Sequence, residues 1–377
     1  MKIAYISNSR FPSERAHAVQ MVHMCTAFVQ NGHEVTFVVT DRKTHISASP
    51  EAFYGTKLLF RVEYLPIADI TGTMLKIPLV FRPILYTVQR FMYIAKLLKY
   101  LRTDNFECIY GRDEWLLAVL SVVSKIPVIW ESHEAKFSFI AKFVLRRAKK
   151  CIVISEGILH FYLQKGVPTE KMLVAHDGID DSFFLPTLSK SEAREKLGIA
   201  SVTKPVVMYI GGLDVWKGVD TLFEAGTEGL DRFATYAIGG GATELADYTA
   251  RFPKVHFLGQ RPYKDLKDFQ QAADVLVIPN TAKNKLSAEY TSPLKLFAHM
   301  TSKVPIVASD IPSIKNVLSD EEAYFFEADN AASLLEVLAT VTKNTRESEV
   351  KAEKAYALSK HFTWVARAKS IVNFIKS

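Results

Sequence analysis

Three short stretches combine residue types suited to holding phosphate. In Tyr209-Ile-Gly-Gly-Leu-Asp-Val-Trp-Lys-Gly218, Gly211 and Gly212 let backbone approach a ligand closely, and Lys217 supplies a mobile point charge. Ile238-Gly-Gly-Gly-Ala242 likewise places glycines directly after an apolar run. The third stretch is Glu289-Tyr-Thr-Ser-Pro-Leu-Lys-Leu-Phe-Ala-His-Met300. Here the Ser292 hydroxyl can cap a helix, and Pro293 suits the first helical position because its missing N–H would be unpaired there anyway. Leu294, Phe297 and Ala298 recur at helical spacing. A loop that opens such a helix leaves N–H groups at its positive end, an arrangement that binds phosphate. Each stretch also has a plainer reading, since tight turns need glycine and capped helices are common in α/β layers. Their places in the fold separate the two readings.

Alternating strands and helices set those places. Apolar runs at residues 3–6 and 33–40 flank a helix with Val19, Val22, Cys25, Ala27 and Phe28 on its inner side, ending at Asn31-Gly32. Strand–helix–strand over so short a span calls for a right-handed crossover and a parallel sheet. Residues 108–110, 128–130 and 151–154 read as later strands. Between 176 and 205 the composition shifts through Asp177-Gly-Ile-Asp-Asp-Ser182, Pro186, Gly198 and Pro205, marking a domain junction. The alternation then repeats, with strands predicted at 206–210, 235–238, 255–258, 275–278 and 304–308. A last helix from about Thr363 carries Trp364, Ala368, Ile371 and Phe374. All three phosphate-suited stretches thus follow predicted parallel strands at their C-terminal ends, where open α/β sheets bind ligands.

Composition narrows the class. A chain of 377 residues is long for one core, and 49% apolar with 23% charged residues is a globular balance. Cys25, Cys108 and Cys151 stand far apart in apolar settings, as buried thiols of a reducing compartment do. The N-terminus reads as a strand rather than a signal peptide, and no apolar run is long enough to span a bilayer, so a cytoplasmic protein is expected. The net charge of +7 is uneven: residues 1–185 hold 23 Lys/Arg against 17 Asp/Glu, and residues 186–377 hold 24 against 23. A basic first half suggests a partner with phosphates. Segments 75–103 and 136–150 are basic, free of acid and rich in aromatic residues, which is a recipe for contact with an anionic membrane surface. The plainer reading makes their apolar residues core and their charges a solvated face. No nucleic-acid-binding module is recognisable.

The whole arrangement resembles the retaining glycosyltransferases of the large bacterial family 4. These have the GT-B fold: two Rossmann-like, doubly wound parallel-sheet domains face each other across a cleft, and a C-terminal helix returns to the N-terminal domain. The resemblance covers nearly the entire chain. It is carried by the opening strand and helix, Trp130-Glu-Ser-His-Glu134, Tyr209 to Leu222, Val255-His-Phe-Leu-Gly259, Ser292-Pro-Leu-Lys295 and Phe362-Thr-Trp364. It implies a domain on the acceptor side at 1–185, a donor-binding domain at 200–360 and a returning helix at 361–377. The implied activity is transfer of a sugar from a UDP- or GDP-linked donor to a glycan or lipid-linked hydroxyl acceptor. No cofactor or metal is expected, consistent with the lack of HExxH, paired-Cys or Asp-x-Asp motifs.

By position, the resemblance assigns catalytic roles to His133, Lys217 and Glu289. Donor binding falls to Gly211, Gly212, Lys217, Gly218, Gly259, Arg261, Pro262, Tyr290, Thr291, Ser292, Pro293 and Leu294. Arg10, Ser13 and Arg15 occupy the first loop on the acceptor side. His133 also has a plain reading as a core histidine at a strand end. The chain departs from the family pattern in several places. The family's two glutamates fall at Tyr290 and Ala298, its arginine near the diphosphate falls at Gly212, and the usual first-loop glycine pair is absent. The alternatives are therefore a catalytically impaired homologue that binds a nucleotide sugar or a partner, a nucleotide-sugar epimerase, and a membrane scaffold.

Overall fold

Strands buried on both faces read as unbroken apolar runs, because helices cover both sides of a parallel sheet. The computed structural model describes the chain apart from residues 14, 15, 43, 45, 68–81, 186, 263 and 264, and the side chains of 16 and 82–86. Arg15 and the part of the first basic segment from 75 to 81 lie outside the described residues. The chain forms two units, one of Met1–Ile154, Ile158–Ala175 and Trp364–Ser377, the other of Ser155–Gly157 and His176–Thr363.

In the first unit the strands are β1 (Lys2–Ile6), β2 (Glu34–Asp41), β3 (Arg61–Pro66), β4 (Cys108–Gly111), β5 (Val128–Ser132), β6 (Lys150–Val153) and β7 (Met172–Val174). They pair in parallel in the order β3-β2-β1-β4-β5-β6-β7. Ile3 on β1 sits between Val35 and Cys108. The helix Ala16–Gln30 and the closing helix Trp364–Lys376 pack on each other. Asn31 Nδ2 donates to the Val365 carbonyl at 2.9 Å, and the rings of His23 and Trp364 stack. Trp364, Ala368, Ile371, Val372 and Ile375 form the buried stripe of that last helix.

The second unit contains β8 (Val206–Ile210), β9 (Ala234–Ile238), β10 (His256–Phe257), β11 (Val275–Ile278), β12 (Ile306–Ser309) and β13 (Tyr324–Phe326). Its parallel order is β10-β9-β8-β11-β12-β13. In both sheets the winding reverses beside the first strand, between β1 and β4 and between β8 and β11. That reversal leaves a crevice at the C-terminal strand ends.

The differences from the sequence reading lie mostly at the sheet edges. β3, β7 and β13 are edge strands, short or studded with polar residues, so they lack the apolar run that marks a central strand. β12 begins at Ile306 rather than at 304, because Pro305 has no N–H to place in the ladder. All three cysteines are buried and free. Among the described residues, no helix is long and apolar enough to cross a membrane.

Candidate functional site

In the second unit, three loops converge at the reversal between β8 and β11. Gly211 N–H donates to the Ile238 carbonyl, and Gly239 N–H donates to the Gly259 carbonyl, both at 2.9 Å. Gly239 has φ +126°, and a Cβ there would lie 1.9 Å from the Gly211 carbonyl oxygen. Gly218 has φ +67°, and its Cβ would lie 2.0 Å from the Pro279 carbonyl oxygen. Backbone presses on backbone at both points, so only glycine fits. Arg261 and Pro262 are exposed beyond β10.

Lys217 closes this floor. Its Nζ is 2.6 Å from Asp214 Oδ2, and a Cβ on Gly212 would lie 2.6 Å from the same nitrogen. The ammonium therefore fills the space that a side chain at 212 would need. The hydrogen bond from Lys217 holds the Asp214 carboxyl below the usual carboxylate range against the opposing effect of its burial, and Lys295 adds to the depression.

Lys295 closes the Ser-Pro-Leu-Lys segment, and nothing in the local sequence marks it for burial. Its Nζ is buried and has no hydrogen-bond partner among the described residues. It lies 4.8 Å from the centroid of the Tyr209 ring, whose hydroxyl donates to the Gly212 carbonyl at 2.7 Å. Burial pushes the Lys295 ammonium down to about 7; Lys217 adds to the shift and Asp214 opposes it. Asn280, directly after β11, is also fully buried, and neither its side-chain oxygen nor its nitrogen has a partner among the described residues. A Pro-Asn pair closing an apolar strand was the only sequence signal for it.

The predicted cap at Ser292 is corrected. The helix runs Leu294–Met300, Pro293 is its N-cap residue with ψ 107°, and no side chain caps it. Ser292 Oγ instead accepts from the Asp177 N–H at 3.0 Å. Leu294 is exposed, and the buried side is built from Leu296, Phe297, Ala298, His299 and Met300. The helix is only seven residues long, and the formal positive charges beside its start are those of Lys217 and Lys295.

The turn Leu286–Tyr290, which carries Glu289 and Tyr290, packs on the Val215–Lys217 turn. Thr291 N–H closes it on the Leu286 carbonyl at 2.9 Å, and Ser313 Oγ holds the Ser287 carbonyl at 2.6 Å. Gly157 leaves room for this turn, since a Cβ there would lie 2.0 Å from the Glu289 carbonyl oxygen. Burial, with a further contribution from Glu289, pushes the Tyr290 hydroxyl up. The structure thus brings Lys217, Glu289 and the segment 290–295 together.

In the first unit a pocket of about 600 Å³ opens where the β1–β4 winding reverses, lined by Asn8, Arg42, Arg90, Arg112, Trp115 and His133 among others. His133 Nε2 lies 2.5 Å from Oε1 of the buried Glu131. Gln20 Nε2 donates to the same oxygen at 2.6 Å, Arg367 NH2 lies 3.2 Å from it, and the Tyr110 hydroxyl donates to Oε2. Burial would raise the Glu131 carboxyl, but Arg367 first and then the His133 hydrogen bond hold it well below the usual range. Neither Arg10 nor Ser13 lines this pocket. Ser13 is buried with its backbone bonded on both sides to the Tyr54 hydroxyl. The sequence pattern alone does not single out Glu131 and Arg367 as a buried pair. The available signal was a charge on the apolar stripe of the last helix. Among the described residues, no three His, Cys, Asp or Glu side chains gather as a metal site.

The family described as Glycosyltransferase Family 4 matches residues 17–183, and Glycosyl transferases group 1 matches residues 204–344. The chain is 26% identical over 223 residues to the D-inositol 3-phosphate glycosyltransferase of Corynebacterium aurimucosum, which covers 54% of this chain and 51% of that protein. It is 22% identical over 279 residues to the sulfoquinovosyl transferase SQD2 of Arabidopsis thaliana, covering 68% and 53%. The chain spans about half the length of the curated relatives it matches. Among solved structures, Anabaena HepE in complex with UDP and glucose gives a TM-score of 0.74 at 19% identity, covering 100% of both chains. A glycosyltransferase from Rickettsia africae gives 0.75 at 13%, covering 100% of this chain and 97% of that one. At such identities the likeness to these structures is one of fold.

Proposed function

Because the chain belongs to the GT-B glycosyltransferases, with family 4 and group 1 domains, we propose that it moves a sugar from a nucleotide-diphosphate donor to a hydroxyl acceptor with retention at the anomeric carbon. The product would be a polysaccharide, glycolipid or other envelope glycan of a bacterium. The observation that carries this reading is the pair of lysines, Lys217 and Lys295, over glycine-locked loops at the β8–β11 reversal. Departure of a nucleoside diphosphate concentrates negative charge on the leaving phosphate. Fixed cations and amides in a dry site stabilise that charge with little reorganisation. Relatives of this fold have been caught with UDP and with UDP-glucose, which supports the donor class.

In this reading His133 acts at the donor sugar, and the Glu131 carboxylate at 2.5 Å positions its ring. The first unit's pocket takes the acceptor. Thermal shift with UDP, GDP and their sugar conjugates tests the donor: a ligand that binds only the native state must raise the midpoint. Product anomers read by NMR then test retention. An inverted product refutes the retaining assignment. Binding without turnover favours the impaired-homologue reading, which Ala298 and Gly212 support. No shift with any nucleotide removes the donor assignment.

The membrane reading rests on exposed aromatics beside basic groups. Phe139 is 84% and Phe91 61% exposed, while Lys142 lies over the Phe137 ring and Arg147 over the Phe143 ring. Other apolar residues of these segments, including Tyr93, Leu97, Val144 and Leu145, are core, as the plainer reading had it. The protein is expected to sediment with vesicles containing phosphatidylglycerol and to be released by high salt. Equal recovery with neutral phosphatidylcholine vesicles would exclude an electrostatic contact.

A further inference from the structure

A buried ammonium without a hydrogen-bond acceptor is unstable as an ion, and it either loses its proton or waits for an anion. Lys295 is such a group. Its Nζ is shut off from solvent, makes no hydrogen bond among the described residues and faces the Tyr209 ring. The nearest cation, Lys217, disfavours its charge, and the Asp214 carboxylate is already engaged by Lys217 at 2.6 Å. We propose that Lys295 is the second cation of the donor site and that it takes up a proton when the donor's diphosphate binds. This rests on the donor-site reading above and adds to it a coupling between substrate and proton.

The surrounding groups leave Lys295 as the one that changes charge. On the loop after β8, Asp214 is held below the usual carboxylate range by Lys217. On β8, burial pushes the Tyr209 hydroxyl up, with Asp214 adding to the shift. On its own helix, His299 is pushed down to about 3 by burial and then by Lys295, and its Nδ1 is 3.2 Å from Gln270 Nε2. Lys295 itself is pushed down to about 7 by burial. Around pH 8 the empty site therefore holds Lys295 mostly neutral. A bound diphosphate raises its pKa again, and the proton comes from solvent. The affinity conferred by the ammonium is complete below the empty-site pKa and declines as pH rises above it.

Calorimetry with UDP-glucose tests this, because its diphosphate diester has no group that titrates between pH 6 and 8.5. Titrations at pH 8 in HEPES and in Tris, which differ in ionisation heat, give the proton count. Wild type is expected to take up close to one proton per site and to lose affinity by up to tenfold per pH unit above neutrality. Lys295→Met removes the charge while keeping an unbranched chain. It is expected to show no uptake and at least tenfold weaker binding. The midpoint of the empty variant should match or exceed wild type, since a buried amine without a hydrogen-bond partner is replaced by an apolar group. Binding without proton uptake in wild type, or uptake that persists in Lys295→Met, overturns the proposal while leaving the donor reading intact. A lowered midpoint of the empty variant makes Lys295 a structural group and also overturns it. If neither UDP-glucose nor GDP-mannose binds the wild type, the donor reading itself fails and this inference falls with it.

Discussion

Lys217→Ala is expected to weaken binding of UDP or its sugar conjugates about 100-fold while leaving the fold in place. A charge-assisted hydrogen bond to phosphate contributes about 1.5–3 kcal/mol, and each 1.4 kcal/mol is tenfold in affinity. Removing Lys217 also releases Asp214, whose carboxylate would then face the phosphate without its partner at 2.6 Å. That repulsion places the effect near the upper end of the range. Some relief comes from Lys295, which is freed of its unfavourable neighbour and more easily charged. The double variant Lys217→Ala/Lys295→Met should therefore lose more affinity than the two single variants sum to. Stability of the empty protein should barely move, because Asp214 is 48% exposed and solvent-exposed ion pairs are weak. Calorimetric titration and a melt of the same sample check both halves. Unchanged affinity would remove Lys217 from the mechanism.

The largest expected loss of stability comes from Arg367→Leu. Glu131 and Arg367 are 0% and 2% exposed at their side chains, and the guanidinium is the main group holding the carboxylate ionised. Removing one member of a buried pair leaves the other charge uncompensated, which costs about 3–5 kcal/mol. For a unit of this size that corresponds to a fall of about 10 °C in the melting midpoint. Adding Glu131→Gln to Arg367→Leu should restore part of the loss, because no buried charge then remains. The pH dependence has a definite sign. The folded-state pKa of Glu131 lies below its unfolded value, so its stabilisation is present above about pH 4.5 and is lost as pH falls through the folded pKa. Glu131→Gln should flatten the acid limb of the stability curve. Melts at pH 7, pH 4 and pH 3 test this; an Arg367→Leu protein as stable as wild type would show that the carboxylate finds another partner. Because Glu131 also holds His133 at 2.5 Å, these variants should lower turnover more than donor affinity.

Much of the architecture was legible in the chain. Buried central strands such as β8 and β11 must be apolar at every position, and helices between them must be apolar on one side, so periodicity alone located them. The edge strands β3, β7 and β13 carry no such demand and left no signal. Glycines at 218 and 239 announced loops after strands. Their necessity comes from carbonyls of Pro279 and Gly211, residues distant in sequence, that occupy the space of a side chain. Ser292 next to Pro293 satisfied every local rule for a capped helix. Its hydroxyl was nevertheless taken by the Asp177 amide, an interaction spanning 115 positions.

The order of apolar runs, glycines and the Lys-Gly and Ser-Pro-Leu-Lys segments was enough to determine a chain of two parallel-sheet units and the end of each sheet that carries the loops, because backbone geometry and burial act locally and repeat. Which charges are paired and which are stranded was decided only by tertiary packing. Lys295 looks like any helix-surface lysine in the sequence, and Arg367 like an error on an apolar stripe. Burial raises the energy of every ion, and only the three-dimensional positions of Asp214, Lys217 and Glu131 determine which ones are compensated.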